Sequence, residues 1–250
     1  MATPESSPCV GVCRLGEDGL CAGCRRTVDE IVQWPGLEAE ERLRIMRDVL
    51  PRRTLSPPGR IARDVLAIRR AVSPLSVAPV LDKSGTREAA VLVPVVHRSE
   101  GLAVLFTCRN AHLREHAGQV SFPGGAIESD DADPVATALR ETGEEVGILP
   151  EQIEPVGYLD ALVTGTGYRI VPVAGFVDGD YRARVNHAEV DSVFEVPLDV
   201  VRAPGCLRPL RFEWQGLERE TLAFDWDGHH VWGATASILG NLVDRMRAFA

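Results

Sequence analysis

Short apolar runs and helical stripes alternate along most of the chain. Ala89 to His97 (AAVLVPVVH) reads as a buried strand and Leu102 to Cys108 as a second, joined by the turn around Ser99-Glu100-Gly101. Ile153 to Leu159, Tyr168 to Phe176 and Val190 to Val196 read as further strands. Between them Asp133 has the character of an N-cap, Pro134 of a first helical residue and Gly147 of a stop signal, which predicts a helix from Pro134 to about Val146. At about 100° per residue, Val135, Leu139, Thr142 and Val146 gather in one arc and form its expected buried face. Glu141 and Glu145 lie four apart at the edge of that face, and Glu144 lies further round, toward solvent. Ile61 to Ala71 reads as another helix, and an amphipathic helix follows Val231–Ala236 and runs to Ala248. Strands interleaved with helices make this an α/β chain.

The first 55 residues differ in character. Four of the six cysteines stand there, as Cys9, Cys13, Cys21 and Cys24. In a chain expected to reside in a reducing compartment, that grouping points to a metal ahead of two disulfides or four idle thiols. Four thiolates suit Zn²⁺ or an iron–sulfur cluster, and the spacing does not separate the two. A short amphipathic helix is expected from Thr27 through Trp34, and a second from Leu37 to Leu50. So small a head has little core, and a metal staple would compensate. Pro51 and Ser56-Pro57-Pro58-Gly59 then mark a linker, which predicts a head over 1–55, a linker over 56–60 and a larger domain over 61–250.

Composition narrows the function. The formal net charge is −9, and all but one of those charges fall beyond residue 55. That argues against a nucleic-acid partner, which needs a basic surface. No apolar run reaches the roughly 20 residues of a membrane span, and the N-terminus lacks the basic and apolar regions of a secretory signal, so a cytoplasmic location is expected. An acidic protein acting on an anionic phosphate needs divalent cations and a few placed arginines.

The chemistry concentrates between Phe122 and Ile148. Pro123-Gly124-Gly125 is a turn that exposes backbone N–H groups. Glu141 and Glu145 on adjacent turns, with Glu144 close by, are either a solvated charged face or a hard-oxygen site for Mg²⁺ or Mn²⁺, with Arg140 placed to orient a carboxylate. Arg140-Glu141-Thr142-Gly143-Glu144-Glu145-Val146-Gly147-Ile148, preceded by Gly124-Gly125 and Glu128, resembles the Nudix hydrolase signature, G-x(5)-E-x(7)-R-E-U-x-E-E-x-G-U. Thr142 replaces an aliphatic residue, and the spacing from Gly125 to Arg140 is one residue too long. The early glutamate therefore has no exact counterpart, and Asp131 is the nearest candidate. The resemblance implies an α/β/α sandwich with a mixed sheet, and Glu141 and Glu145 as principal ligands of Mg²⁺ or Mn²⁺. Glu144 would be a further ligand or a water-orienting base, and Arg140 would fix the glutamates.

A second motif refines the substrate. Leu105-Phe106-Thr107-Cys108-Arg109-Asn110, then Arg114, Gly118 and Phe122-Pro123-Gly124-Gly125, resembles the motif of the coenzyme A pyrophosphatase branch of that family, with Phe106 and Asn110 as departures. The C-terminal Val231-Trp232-Gly233-Ala234-Thr235-Ala236 is also similar to that branch. The likeness implies a small-molecule substrate, coenzyme A or a derivative, cleaved to adenosine 3′,5′-bisphosphate and a 4′-phosphopantetheine derivative. Arg109 and Arg114 would clamp phosphates, and Gly118, Phe122, Gly124 and Gly125 would complete the substrate site. Another nucleoside diphosphate derivative, or a non-catalytic coenzyme A sensor, remains open. Glu189 is the candidate for a late carboxylate, metal-binding or basic. The head resembles a small bacterial family of unknown function with the pattern SPC-x-x-x-C…C-x-G-C-x-R-T-x-x-E-I-x-x-W. Nothing in the sequence names a protein partner for it.

Overall fold

The computed structural model describes residues 7–9, 15, 20, 21, 23–50, 57–77, 79, 86–113 and 116–248. The chain divides into two compact units, Met1–Ala67 with Ser99–Gly101, and Ile68–Arg98 with Leu102–Ala250.

In the first unit, α1 (Val28–Gln33) starts at a reciprocal cap. The Glu30 amide donates to Thr27 Oγ1 at 3.1 Å, and the Thr27 amide donates to Glu30 Oε2 at 2.8 Å. A 3₁₀ turn, Trp34–Gly36, leads to α2 (Ala39–Arg44), which widens into a π-helical turn over Ile45–Val49. The expected single helix from Leu37 to Leu50 is thus shorter and irregular. Its small core is Trp34, Ile45 and Leu50, with Leu37, Met46 and Val49 packed against it. The Arg26 guanidinium lies 4.4 Å from the Trp34 ring centroid. The linker expected over 56–60 is largely helical: α3 runs Pro57–Ala71, and two leading prolines suit a helix start, where their missing N–H groups have no intrahelical partner.

The second unit is built on a mixed sheet. β1 (Arg87–Arg98) runs parallel to β7 (Tyr168–Val177), pairing Leu92 with Val173. β2 (Gly101–Arg109) neighbours β1 on the other side and pairs antiparallel with β3 (Val120–Ser121) and β8 (Val190–Pro197). β4 (Gly124–Ala126) lies antiparallel along the first half of β1. β5 (Ile153–Tyr158) and β6 (Leu162–Val163) pair antiparallel with β7. All five strands expected from the sequence are present, to within three residues at either end.

One core lies between α4 (Pro134–Val146) and the sheet: Ala138, Val146 and Ile148 meet Ala90, Leu92, Val171 and Val173, all fully buried. Elsewhere Phe106, also fully buried, has Phe122, Phe194 and Phe224 around it at 5.1, 5.4 and 6.1 Å between ring centroids. A five-residue helix, α5 (Leu198–Arg202), follows β8. A second sheet, β9 (Arg208–Trp214), β10 (Leu217–Trp226) and β11 (His229–Trp232), was not expected. Its strands are mostly exposed and carry charge on both faces, so no apolar alternation announces them. The only local signals are its two-residue turns, Gln215-Gly216 and Asp227-Gly228, which place all four residues at positive φ, between 46° and 79°. α6 (Gly233–Ala248) closes the unit, burying Ile238, Leu239, Leu242, Val243 and Met246.

Candidate active site

The helix bearing the glutamates begins and ends where its cap residues predict. Asp133 accepts the Ala136 amide at 2.9 Å, and Gly147 takes φ 72° while donating its N–H to the Gly143 carbonyl at 3.0 Å. Its buried stripe is rotated from the expected one. Thr137, Ala138, Thr142, Glu145 and Val146 are buried, while Val135 and Leu139 pack at the core margin. Thr142, at the position expected to be aliphatic, is accommodated because its hydroxyl donates to the Ala138 carbonyl at 2.6 Å. The rotation carries Glu145 inside, to 2% exposure, rather than leaving it at the edge.

Opposite lies β4. The Gly124 amide donates to Glu145 Oε2 at 3.2 Å. A Cβ on Gly125 would stand 2.4 Å from Glu141 Oε1, and one on Gly124 would stand 2.4 Å from the Ala90 carbonyl oxygen. Only glycines let the strand lie between β1 and the two carboxylates. Burial pushes the Glu145 carboxyl up to about 7, with the charges of Glu141 and Glu189 adding to it and the Gly124 amide and Arg109 opposing it. Burial likewise raises Glu141, against the opposing pull of Arg140.

Arg140 organises the polar side. It donates Nε to Asp131 Oδ1 at 3.1 Å and Nη2 to Asp131 Oδ2 at 2.9 Å, while Nη1 reaches Glu141 Oε1 at 2.9 Å and Glu144 Oε2 at 3.5 Å. Asp131 also accepts the Glu128 amide and the Thr137 hydroxyl, each at 2.9 Å. The bidentate Arg140 hydrogen bonds hold its carboxyl far below the usual range despite burial. Thus Asp131 partners Arg140, and the extra residue before Arg140 is taken up in the 128–133 turn. Glu144 points outward, with 58% of its side chain exposed.

Two further segments meet this site. Arg109, at the end of β2, brings Nη1 to 3.7 Å from Glu145 Oε1, and its buried Nε has no hydrogen-bond partner among the described residues. The loop 178–189 closes on the C-terminal end of α4: the Arg184 amide donates to the Val146 carbonyl at 2.7 Å and the Asn186 amide to the Glu145 carbonyl at 3.0 Å. Its base is fixed by Tyr181, which donates to Glu195 Oε1 at 2.6 Å, and by Arg98, which donates to Glu195 and to the Gly179 carbonyl. Glu189 rides on this loop with its side chain exposed.

Other expected residues fall differently. Phe122 is not available to a substrate: it is 3% exposed and stacked on Phe106, so it anchors the glycine turn from within. Gly118 is an exposed turn residue at φ 69° that donates to the Arg109 carbonyl at 3.1 Å. Arg114 and Cys13 lie outside the described residues. In the head, Cys21 and Cys24 are buried and Cys9 is exposed. Arg26 Nε donates to Cys24 Sγ at 3.2 Å. Burial raises the Cys21 thiol, but hydrogen bonds from Cys24 and Gly23 and the Arg26 charge outweigh it and lower the thiol. Among the described residues, no three His, Cys, Asp or Glu side chains converge as a ready cage for a metal. At the helix, Arg140 draws Glu141 and Glu144 toward itself. The donor set still fits a hard divalent cation: the Glu141 carboxylate packs against Gly125 and Glu145 accepts the Gly124 amide, so two oxygen donors stand beside one glycine strand.

Comparison with known proteins supplies the family. Residues 86–214 match the NUDIX domain, and residues 7–53 match the domain described as a protein of unknown function (DUF1289). The chain is 42% identical over 156 residues to the "Uncharacterized Nudix hydrolase NudL" of Escherichia coli, covering 62% of this chain and 81% of that protein. Its namesake in Citrobacter koseri is 43% identical over 157 residues, with the same shares. Among solved structures, a MutT/nudix family protein from Enterococcus faecalis is 18% identical with a TM-score of 0.41, over 74% of this chain and 71% of that one. The NUDIX domain of Shewanella oneidensis NrtR, solved with ADP ribose, is 25% identical with a TM-score of 0.37, over 50% and 83%. Both structural likenesses are loose. The domain match over more than half of its length, together with the relatives it covers, places this chain in the Nudix hydrolase family.

Proposed function

We propose that this Nudix hydrolase is a divalent-cation-dependent pyrophosphohydrolase of coenzyme A or its derivatives. The observation that supports the reaction is the grouping at Gly124-Gly125, where the buried Glu145 and the Arg140-held Glu141 face a glycine backbone and Arg109 approaches from β2. Nudix hydrolases generally use Mg²⁺ or Mn²⁺. In this reading Glu141 and Glu145 hold the cation and Glu144 is a further ligand on the solvent side. A bound cation neutralises the diphosphate and lowers the pKa of the attacking water. Arg140 keeps Glu141 aligned, and Arg109, with an N–H left to donate, takes up diphosphate oxygen charge. Glu189, whose charge reaches both Glu141 and Glu145, accepts the proton as water adds across the P–O–P bond.

The choice of coenzyme A rests on the motif running from Leu105 to Gly125. The buried Cys21 and Cys24 support a soft metal, Zn²⁺ or iron–sulfur, in the head.

The test is to incubate the protein with coenzyme A and Mg²⁺ and resolve the nucleotide products. Adenosine 3′,5′-bisphosphate is expected with metal and not with chelator, and Glu145→Gln should lower kcat at least about 10³-fold while the protein stays folded. Preferential cleavage of ADP-ribose or a dinucleotide would replace the substrate. An unchanged kcat in Glu145→Gln would remove the metal assignment.

A further inference from the structure

Asn110 is, with Phe106, one of two departures from the motif around it, and its main chain and both side-chain amide atoms are hydrogen-bonded. Its backbone N–H donates to the Glu189 carbonyl at 2.8 Å. Its side-chain Nδ2 donates to the His187 carbonyl at 2.7 Å, and its Oδ1 accepts the His112 amide at 2.9 Å. One residue therefore stitches the exit of β2 to the turn that carries Glu189.

The position matters because of its neighbours. Arg109 precedes it and faces Glu145 at 3.7 Å. The β2–β8 register shifts between Cys108 and Arg109, and Arg109 then pairs with Val190, the residue after Glu189, so the irregularity brings the end of β2 beside the Glu189 turn. On the other side, the Asn186 amide holds the Glu145 carbonyl at 3.0 Å, and the Glu189 amide holds the Asn186 carbonyl at 3.0 Å. These contacts close a ring: the Glu145 side chain to Arg109, Arg109 along the chain to Asn110, Asn110 to His187 and Glu189, and Asn186 back to the Glu145 main chain. A serine in its place, with one hydroxyl on a shorter stem, would have neither the amide's fixed donor and acceptor pair nor its reach.

We propose that Asn110 is a positioning residue that couples Arg109 to Glu189, holding both in register with Glu145. The inference rests on the reading of Arg109 and Glu189 as parts of the hydrolytic site. Asn110 itself touches no reacting atom. Its effect is on placement, so removing it should lower kcat more than it changes KM, because an error of an ångström in the approach of a charged group weakens the transition state first.

The experiment has two arms on Asn110→Ala, Asn110→Ser and Asn110→Asp. Asn110→Asp keeps the Oδ1 acceptor for the His112 amide but turns an acceptor toward the His187 carbonyl. The first arm is hydrogen exchange, which needs no substrate. Amides of 110–112 and 186–190 should exchange faster together in Asn110→Ala, by about tenfold, while those in the middle of α4 stay protected. Unchanged exchange at 186–190 would overturn the coupling whatever the enzyme does. The second arm is kinetic, with coenzyme A and Mg²⁺. Asn110→Ala and Asn110→Asp should lose about 10- to 50-fold in kcat with KM within about threefold, and Asn110→Ser should recover only part of it. In a Glu189→Gln background the further loss from Asn110→Ala should shrink to under about threefold, because the group being positioned is gone. Losses that multiply in full would mean Asn110 acts elsewhere and would refute the proposal. Exchange that changes as expected in a wild-type protein inactive toward nucleoside diphosphates would uphold the coupling and reject the hydrolytic reading instead.

Discussion

At the scale of single residues, the site is a contest between burial and charge. Glu145 is nearly sealed, and its carboxyl is pushed from an ordinary 4.5 up to about 7. Between those values the unfolded chain releases a proton that the folded chain keeps, so stability falls as pH rises through that window. The loss is up to about 3 kcal/mol at pH 8 in the absence of metal. Melting in chelator at pH 5 and pH 8 should show this decline in the wild type and a flatter response in Glu145→Gln. Added Mg²⁺ should restore the wild type at pH 8 more than the variant. Equal pH slopes in the two proteins would contradict the account. Gly125→Ala is the complementary probe, since its Cβ would stand 2.4 Å from Glu141 Oε1. Displacing that carboxylate should cost about 1–3 kcal/mol of stability and roughly 10²-fold in kcat, read from melting and steady-state rates on one preparation.

At the scale of elements, α4 is fixed at both ends, and its C-terminal end doubles as a docking point. A Cβ on Gly147 would stand 2.7 Å from the Arg184 Cβ, and the residue sits at φ 72°. Gly147→Ala therefore meets two penalties, left-handed backbone and collision with the loop that carries Glu189. A loss of about 2–4 kcal/mol is expected, with faster amide exchange over 184–189. A substitution costing under about 1 kcal/mol would show that the loop yields freely there. The caps of α4 were legible in the sequence because Asp133, Pro134 and Gly147 act on their own backbone. Its buried face was legible in Thr142 and Val146, but the burial of Glu145 beside them was not. Small residues, Ala138 and Thr142, let the helix lie close on β1, and that closeness turned Glu145 inward. Helical periodicity ranks side chains by polarity and has no way to know that a carboxylate will find a backbone N–H across the gap.

At the scale of the whole second unit, Phe106 brings four segments together. It lies on β2 and meets the glycine turn through Phe122, β8 through Phe194 and β10 through Phe224. Phe106→Ala should cost about 3–5 kcal/mol, and activity should fall with it because the turn bearing Gly124 and Gly125 loses the ring beneath it. Circular dichroism melts with parallel rate measurements would check this. Full activity in a protein destabilised by that amount would separate the turn from the cluster. Phe122 shows the same lesson from the other side. Its place in a motif suggested contact with substrate, yet motif position records only that a residue type is needed, not which way it faces.

The sequence by itself determined the five long strands of the main sheet, the limits of α4 and the pairing of glutamates on one helix, while β3, β4 and β6 were not foreseen and Gly124-Gly125, expected in a turn, lies in β4. Each feature so determined is set by local chemistry: apolar runs, capping side chains, glycine's freedom and the i, i+4 spacing. Tertiary structure alone decided that Asp131 answers Arg140 across an added residue, that Glu145 is buried, that Asn110 ties β2 to the Glu189 loop, and that a second sheet forms from charged strands. Those depend on backbone groups and carboxylates meeting across long stretches of chain. Their energies come from hydrogen bonds and burial that do not exist until the segments are packed.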